Sequence, residues 1–164
     1  MIKLRPLDLN DLEFRISLLN NPDISQFLNV NESFSLNKTI EWFYNRNLSK
    51  RYDCVFLYND ISIGMGGITD ISVVNKNAFL YLYIDNKFQG KGLGISSMIR
   101  LCEYGFLELG LNKVYSYTFA FNHKVNKMHE KIGFKKEGIL RKHTYKEGIF
   151  QDRYLYGLLK SELL

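Results

Sequence analysis

The sequence predicts a mixed α/β fold in which helices pack on a mainly antiparallel sheet. Strand-like and helix-like segments follow one another as strand, helices, three strands, helix, strand, helix and two strands. The segment "NAFLYLYIDN" is apolar on both of its alternating faces, which is typical of a central strand covered on both sides. A length of 164 residues without a linker-like stretch predicts one domain over residues 1–164.

The first third of the chain predicts one strand followed by three helices. These segments cover residues 2–7, 11–21, 22–28 and 35–48. Asp8 or Asn10 can cap the first helix, which must end before Pro22 because a residue that precedes proline prefers extended geometry. Ser35 is the expected cap of the third helix.

The rest of the chain predicts six strands and two helices. The first two of these strands form a hairpin around Asn59-Asp60, and the last two form an antiparallel pair that turns at Glu147-Gly148. Gly110 and Gly133 are expected to end the two helices, because glycine readily adopts the left-handed conformation that closes a helix.

The composition indicates a cytoplasmic protein with a modest basic balance. The net charge is +5, and the basic residues are scattered, which favours a small anion such as a phosphorylated cofactor over nucleic acid. No apolar run is long enough for a membrane span, and the N-terminus lacks an apolar signal core. Cys54 and Cys102 show no Cys-x-x-Cys spacing, so we expect free thiols in apolar space and no metal site.

The segment "DNKFQGKGLGISSMI" carries the strongest local signal. Three glycines, Gly90, Gly92 and Gly94, lie between the central strand and the next helix. The first turn of a helix has free N–H groups and a partial positive charge, and glycine lets a ligand approach the backbone, so the loop is suited to phosphates. The spacing fits neither a P-loop nor a dinucleotide-binding loop, and three glycines alone could equally form a tight turn.

The spacing Gln89-x-x-Gly92-x-Gly94 resembles the signature of the GNAT superfamily of acetyl-CoA-dependent N-acetyltransferases. A second similarity follows in "NHKVNKMHEKIGF", which begins at Asn122. The two ends of the chain resemble the branch that includes the ribosomal-protein alanine acetyltransferases, so the resemblance covers nearly the whole chain. It implies a GNAT fold with splayed fourth and fifth strands and acetyl-CoA as co-substrate.

The resemblance also implies which residues contact the cofactor. Backbone N–H groups from Gln89 to Ile95 would hold the pyrophosphate, and Lys91 could add charge to it. The strand at Leu82, Tyr83 and Ile84 would pair with the pantetheine arm. The strand near Tyr83 and Ile84 could also offer an N–H to the reacting oxygen. Asn122 would contact the same arm, although it could also cap a helix. The cofactor-binding residues implied are Leu82, Tyr83, Ile84, Gln89, Gly90, Lys91, Gly92, Leu93, Gly94, Ile95 and Asn122.

Two positions depart from the pattern of the family. Many members have a tyrosine seven residues after the motif asparagine, which protonates the leaving thiolate, and this chain has His129 there. An imidazole could donate that proton, or it could lie on the helix surface. The strand glutamate that acts as general base in many members is replaced by Phe79. Other candidates for the general base are Glu32, Glu41, Tyr117, His143 and a water molecule, and the sequence does not rank them.

Three classes of amine acceptor are open. The stretch "NNPDISQFL" and the C-terminal segment look most like enzymes that acetylate the 4-amino group of nucleotide-linked amino-deoxysugars in bacterial surface-glycan synthesis. Phe27, Trp42 and Phe43 could contact such an acceptor, or belong to the helix core. A protein N-terminus is the second class, and a polyamine or aminoglycoside the third. A module that binds acetyl-CoA without turnover is a further alternative. We expect no nucleic-acid or membrane partner, and a homodimer is left open.

Overall fold

The computed structural model describes residues 1–163 and contains one seven-stranded sheet flanked by helices. The strands are β1 (Ile2–Pro6), β2 (Tyr52–Tyr58), β3 (Ile61–Ser72), β4 (Asn77–Ile84), β5 (Lys113–Phe119), β6 (Lys135–Lys146) and β7 (Ile149–Leu159). The α-helices are α1 (Leu12–Leu19), α2 (Pro22–Ser25), α3 (Leu36–Tyr44), α4 (Leu93–Leu107) and α5 (His123–Ile132). The predicted mixed α/β fold is therefore confirmed.

The sheet divides into two antiparallel halves that meet between β4 and β5. Its order is β1-β2-β3-β4-β5-β7-β6, and β4 is the central strand, as predicted. The β4–β5 contact is the parallel one, and its register covers three residue pairs that end at Phe79 and Tyr115. Beyond them β4 continues to pair with β3 as far as Ile84, while β5 pairs with β7 as far as Phe119.

Each face of the sheet carries its own hydrophobic cluster. On one face, Met98 and Phe106 of α4 pack with Leu80 and Ile84 of β4. On the other face, Leu12 and Leu18 of α1 and the half-buried Trp42 of α3 pack with a second cluster that includes Val55 and Met65. Because side chains alternate along a strand, Leu80, Leu82 and Ile84 point toward α4. The aromatic side chains between them belong to the α1 face.

The predicted turns and caps are mostly present, with one shift near the N-terminus. Asp8 caps a short 3-10 turn (Leu9–Asp11) that precedes α1, and it does not cap α1 itself. The sequence did not separate this turn from α1, because the apolar spacing continues from the turn into the helix. Ser35 accepts a hydrogen bond from the Lys38 backbone N–H at the start of α3. Asn59 and Asp60 both have positive φ, as a tight hairpin requires.

The second half of the chain follows the prediction closely. Gly133 ends α5 with φ +110°, and Gly148 follows Glu147 in the β6–β7 turn with φ +79°. Cys54 and Cys102 are buried free thiols, as expected. Within residues 1–163, none of the helices combines the length and apolar character needed to cross a membrane.

Candidate active site

A cavity of ≈ 850 Å³ lies where β4 and β5 separate. One end is formed by the glycine loop after β4 and by α5, and the other by α1, α2 and the segment 27–30. The splayed strands open the sheet between these two ends, so a ligand can pass from one face of the sheet to the other. The cavity is large enough for a cofactor arm together with a small acceptor.

Six consecutive backbone N–H groups face no internal acceptor at the glycine-loop end. In the described chain the N–H groups of residues 90–95 donate to no protein oxygen, and the first helical bond is from Ser96 N–H to Gly92 C=O at 3.1 Å. Gln89 is the exception to the predicted set, because its own N–H donates to the Asn86 carbonyl at 3.2 Å. Such a row of free donors at the N-terminus of a 15-residue helix binds phosphate oxygens well.

The three loop glycines have different physical roles. Gly90 and Gly92 have φ +76° and +77°, and a Cβ at either would meet nothing within 4 Å. Their backbone conformation is the reason for glycine, since an alanine there would cost about 1 kcal/mol of strain. Gly94 is helical, and a Cβ there would lie 3.7 Å from both Ile84 and Met128. It keeps the first turn of α4 close to β4 and α5.

The side chain of Gln89 holds the loop in place. Its Nε2 donates to the Ile84 carbonyl at 2.9 Å and to Asn86 Oδ1 at 3.1 Å, and its Oε1 accepts from Lys124 Nζ at 3.0 Å. Lys91 turns back to the Lys87 carbonyl at 3.1 Å and does not line the cavity, so its predicted charge contribution to the phosphates has no support in this geometry. Leu93 packs against the core instead of lining the cavity.

The free edge of β4 offers backbone donors to the gap. Asp85 N–H donates to Ile63 on β3, so alternate residues 83 and 81 also direct their N–H and C=O groups toward β3. Leu82 and Ile84 therefore direct theirs toward the side where β5 has separated. The Ile84 N–H thus points to the gap and the Tyr83 N–H to β3, and which N–H meets the reacting oxygen stays a prediction.

Asn122 has the cap role that the sequence allowed. Its Oδ1 accepts from the Val125 N–H at 3.3 Å at the start of α5, and its side chain is buried against the cavity. The cap fixes the end of β5 relative to α5. A contact with a cofactor through the amide nitrogen is compatible with this arrangement and stays a prediction.

His129 lines the cavity from α5 and is only 1% exposed, so the alternative of a solvent-facing surface residue is wrong. Its Nδ1 lies 2.9 Å from the Val125 carbonyl, which can only accept, so Nδ1 carries the ring proton. Nε2 is buried and has no partner within the described chain. Burial lowers the pKa of His129, because the imidazolium would lose its hydration.

These contacts change the role that the sequence suggested for His129. In the neutral form Nε2 is an acceptor, so the resting side chain has no proton to donate to a thiolate. The ring stacks on Tyr156 at 5.0 Å and meets the edge of Phe134 at 4.8 Å, which fixes its orientation. A direct acid role would need a proton delivered to Nε2 first, and the role of His129 in the reaction stays a prediction.

The position of the missing glutamate is occupied by an aromatic cluster. Phe79 lines the cavity and lies 5.5 Å from Tyr117, which also lines it. Of the four side chains proposed as substitutes for the base, Tyr117 is the one that reaches the cavity. Glu32 and Glu41 are exposed on and before α3, and His143 lies 6.4 Å from the Tyr117 ring without lining the cavity.

One of the three predicted acceptor aromatics lies in the cavity. Phe27 lines it and packs 6.0 Å from Phe121. Trp42 and Phe43 do not line it, and they pack instead against the α1 cluster. The prediction is corrected for these two residues, because the apolar side of α3 is needed to cover the sheet.

Two arginines in the cavity wall were missed by the sequence analysis. Arg15 of α1 is buried, with its guanidinium 4.0 Å above the Trp42 ring. Asp53, whose charge acts on Arg15, is already bonded to Arg46 at 3.0 Å and to Arg51 at 2.7 Å. Arg153 of β7 lines the cavity from the opposite side. No short motif marks either residue, and only the folded sheet brings them to one cavity.

A buried lysine holds the wall that carries Phe27. Lys146 Nζ, at the end of β6, donates to the carbonyls of Ser25, Leu28 and Val30 at 3.1, 2.8 and 3.2 Å. Three carbonyl acceptors compensate the ammonium in the absence of a carboxylate. The β6–β7 hairpin thus positions the acceptor end of the cavity. Across residues 1–163, no group of three or more His, Cys, Asp or Glu side chains could hold a metal ion.

The comparisons with known proteins agree on a family. A family model described as "Acetyltransferase (GNAT) domain" matches residues 2–135. The spermidine N(1)-acetyltransferase of Vibrio cholerae serotype O1 is 28% identical, covering 99% of this chain and 95% of that one. A putative ribosomal N-acetyltransferase of Bacillus subtilis, YdaF, is 35% identical over 65% of this chain and 58% of its own length.

A solved structure matches the whole fold. The crystal structure of the Vibrio cholerae spermidine N-acetyltransferase in complex with CoA and spermine superposes with a TM-score of 0.91. Its identity is 27%, and the match covers 98% of this chain and 96% of that one. Neither of these two proteins is named as a nucleotide-sugar enzyme, so the resemblance to amino-sugar acetyltransferases gains no support from them.

The buried imidazole predicts a pH-dependent stability. Because the pKa of His129 is lowered in the folded protein, the unfolded chain binds the proton first as the pH falls below about 6.5. The contribution of the neutral ring is therefore present above that pH and is lost below it. Urea unfolding at pH 7.5 and 5.5 should show a larger loss of unfolding free energy for the wild type than for His129→Phe. The exposed His123→Phe variant is the matched control, and equal losses in the wild type and His129→Phe would contradict the interpretation.

Proposed function

Because the chain belongs to the GNAT acetyltransferase family, we propose that its cavity acetylates a primary amine whose acceptor molecule also carries an anionic group. The chain is an acyltransferase that uses acetyl-CoA as co-substrate. The observation that supports the proposal best is the cavity itself, which joins a row of free N–H donors to a cationic, aromatic acceptor end.

The cofactor fits the residues at the glycine-loop end. The N–H groups of residues 90–95 would hold its pyrophosphate, while Leu82 and Ile84 would pair with the amides of the pantetheine arm as an added strand does. Asn122 would bond to that arm from the opposite wall. The thioester, at the end of the arm away from the glycine loop, would then lie between the separated strands.

The chemistry requires one proton to move from the amine to the sulfur. The neutral amine attacks the thioester carbonyl, the nitrogen then loses a proton, and the carbon–sulfur bond breaks to release the thiolate. The unpartnered Nε2 of His129 would accept the proton from nitrogen and return it to sulfur. Its lowered pKa makes the imidazolium a strong acid toward the thiolate. This proposal replaces the direct acid role and needs no glutamate at Phe79.

The charges of the cavity support an anionic acceptor. Its charged lining residues, within the described chain, are one carboxylate, Asp23, and five cations, at 15, 124, 127, 131 and 153. Three of these cations lie on α5 near the glycine loop, but Arg15 and Arg153 lie at the acceptor end. A nucleotide-linked amino-deoxysugar of the kind used for surface glycans has both the amine and the phosphates that this arrangement favours.

Two other acceptors are favoured by specific relatives. The spermidine acetyltransferase of Vibrio cholerae favours a polyamine, the class to which the sequence analysis gave the least support. Among residues 1–163, Asp23 is the one carboxylate in the lining that a polyamine could use. The Bacillus subtilis protein named as a putative ribosomal acetyltransferase favours a protein N-terminus.

A panel of amines tests the acceptor class directly. Thiol release from acetyl-CoA would be followed with nucleotide-linked 4-amino sugars, alanine- and serine-ended peptides, and spermidine. We expect kcat/KM to be highest for a nucleotide-linked amino sugar, because the acceptor end is cationic. A higher kcat/KM for spermidine or for a peptide would overturn the proposed acceptor. If acetyl-CoA stabilised the protein but released no thiol in the presence of any of these amines, a binding module would be favoured.

Replacement of the imidazole tests the proton relay. His129→Phe keeps a ring between Tyr156 and Phe134 but removes Nε2, so kcat should fall by about 100-fold or more. The KM for acetyl-CoA should change little, because the glycine loop is not touched. His123→Phe on the same helix, which is exposed, should retain the wild-type kcat. An unchanged kcat in His129→Phe would rule out the relay.

A further inference from the structure

Arg153 occupies an unusual position in the sheet. It lies in the middle of β7, paired with Phe119 of β5 on one side and with Leu140 of β6 on the other. Its guanidinium lies 4.3 Å above the Phe119 ring, and the residue lines the cavity. The residue is half-buried, and partial burial of a cation has a desolvation cost that its hydrogen-bond partners must offset.

The partners of Arg153 leave its charge uncompensated. Nη1 donates to the Thr144 hydroxyl at 3.3 Å, and Nη2 donates to the Tyr117 carbonyl at 3.2 Å. Both distances are long, and both acceptors are neutral. Nε is buried without a partner, and the described chain places no carboxylate in a salt bridge with this side chain. Burial lowers the pKa of Arg153, with only Tyr117 acting against it.

Arg153 lies on the α1 face of the sheet, the face that carries the acceptor end of the cavity. It shares the Phe119 side of β5 with Tyr117, which in turn contacts Phe79 of β4. Thr118, which lies between Tyr117 and Phe119 in β5, points to the opposite face and bonds to Asn126 of α5. His129 stacks on Tyr156 on that opposite face too. The guanidinium and the imidazole therefore approach the cavity from opposite sides of the sheet.

We propose that Arg153 is the specificity-determining residue for the acceptor, and that it binds an oxyanion which the acceptor carries beside its reacting amine. This inference rests on the proposed function and adds the residue that selects the substrate class. A phosphate or carboxylate oxygen would supply the charged acceptor that the guanidinium lacks. The buried Phe119 ring covers one side of the guanidinium and shields that side of the contact from water.

The binding test uses protein saturated with CoA, so that the glycine loop is occupied. Uridine diphosphate and succinate would be titrated separately by calorimetry, to distinguish a phosphate from a carboxylate source. We expect one of them to bind, and Arg153→Gln to weaken that binding by about 10- to 100-fold. Arg141→Gln, on the exposed side of β6, makes the same charge change outside the cavity and should bind as the wild type does.

Further measurements separate binding from folding and from the proposed function. Stabilisation of Arg153→Gln by CoA would show that the variant is folded, and Arg153→Lys should recover part of the affinity. With an active anionic acceptor, Arg153→Gln should raise the KM for that acceptor and leave the KM for acetyl-CoA unchanged. Binding of neither anion to the wild type, or equal binding by Arg153→Gln and Arg141→Gln, would overturn the inference. Anion binding that depends on Arg153 would uphold it even if the amino sugars were not acetylated.

Discussion

The short parallel contact between β4 and β5 is the constraint on which the site depends. Each strand stays paired along its length with its antiparallel neighbour, β3 or β7, while the two strands pair with each other over three residues only. The two halves of the sheet therefore diverge after Phe79 and Tyr115. Unpaired backbone groups of β4 are left facing the gap, and buried backbone groups need partners. An extended amide-containing arm can supply them, which is why we propose the break in the sheet as the site of the cofactor arm.

The separation of the strands also divides the chemistry between two faces. The α4–α5 face provides the free N–H groups of residues 90–95 and the single acceptor Nε2 of His129. The α1 face provides aromatic rings and the uncompensated guanidinium of Arg153. The cofactor would enter from the first face and the acceptor from the second, and the thioester and the amine would meet in the gap. The low-dielectric walls explain why one unpartnered nitrogen or one unpaired cation can dominate its side of the cavity.

The sequence predicted the parts of this arrangement that depend on local pattern. The order of strands and helices, the hairpin at Asn59-Asp60 and the glycine loop all follow from spacing and backbone preference. The sequence could not show that Trp42 covers the sheet, that Arg15 and Arg153 meet one cavity, or that Lys146 holds the segment with Phe27. These contacts join residues far apart in the chain. The tautomer of His129 was hidden for a different reason, because it is set by the carbonyl of Val125 one helical turn earlier.

The most direct test is to map which backbone amides contact the cofactor. Amide resonances of ¹⁵N-labelled protein would be followed while CoA is added. We expect the largest shifts at residues 90–95, at Leu82 and at Ile84, with smaller shifts at Tyr83 and Gln89, whose N–H groups are already used within the protein. Saturable binding of CoA that leaves the amides of residues 90–95 unshifted would contradict this expectation.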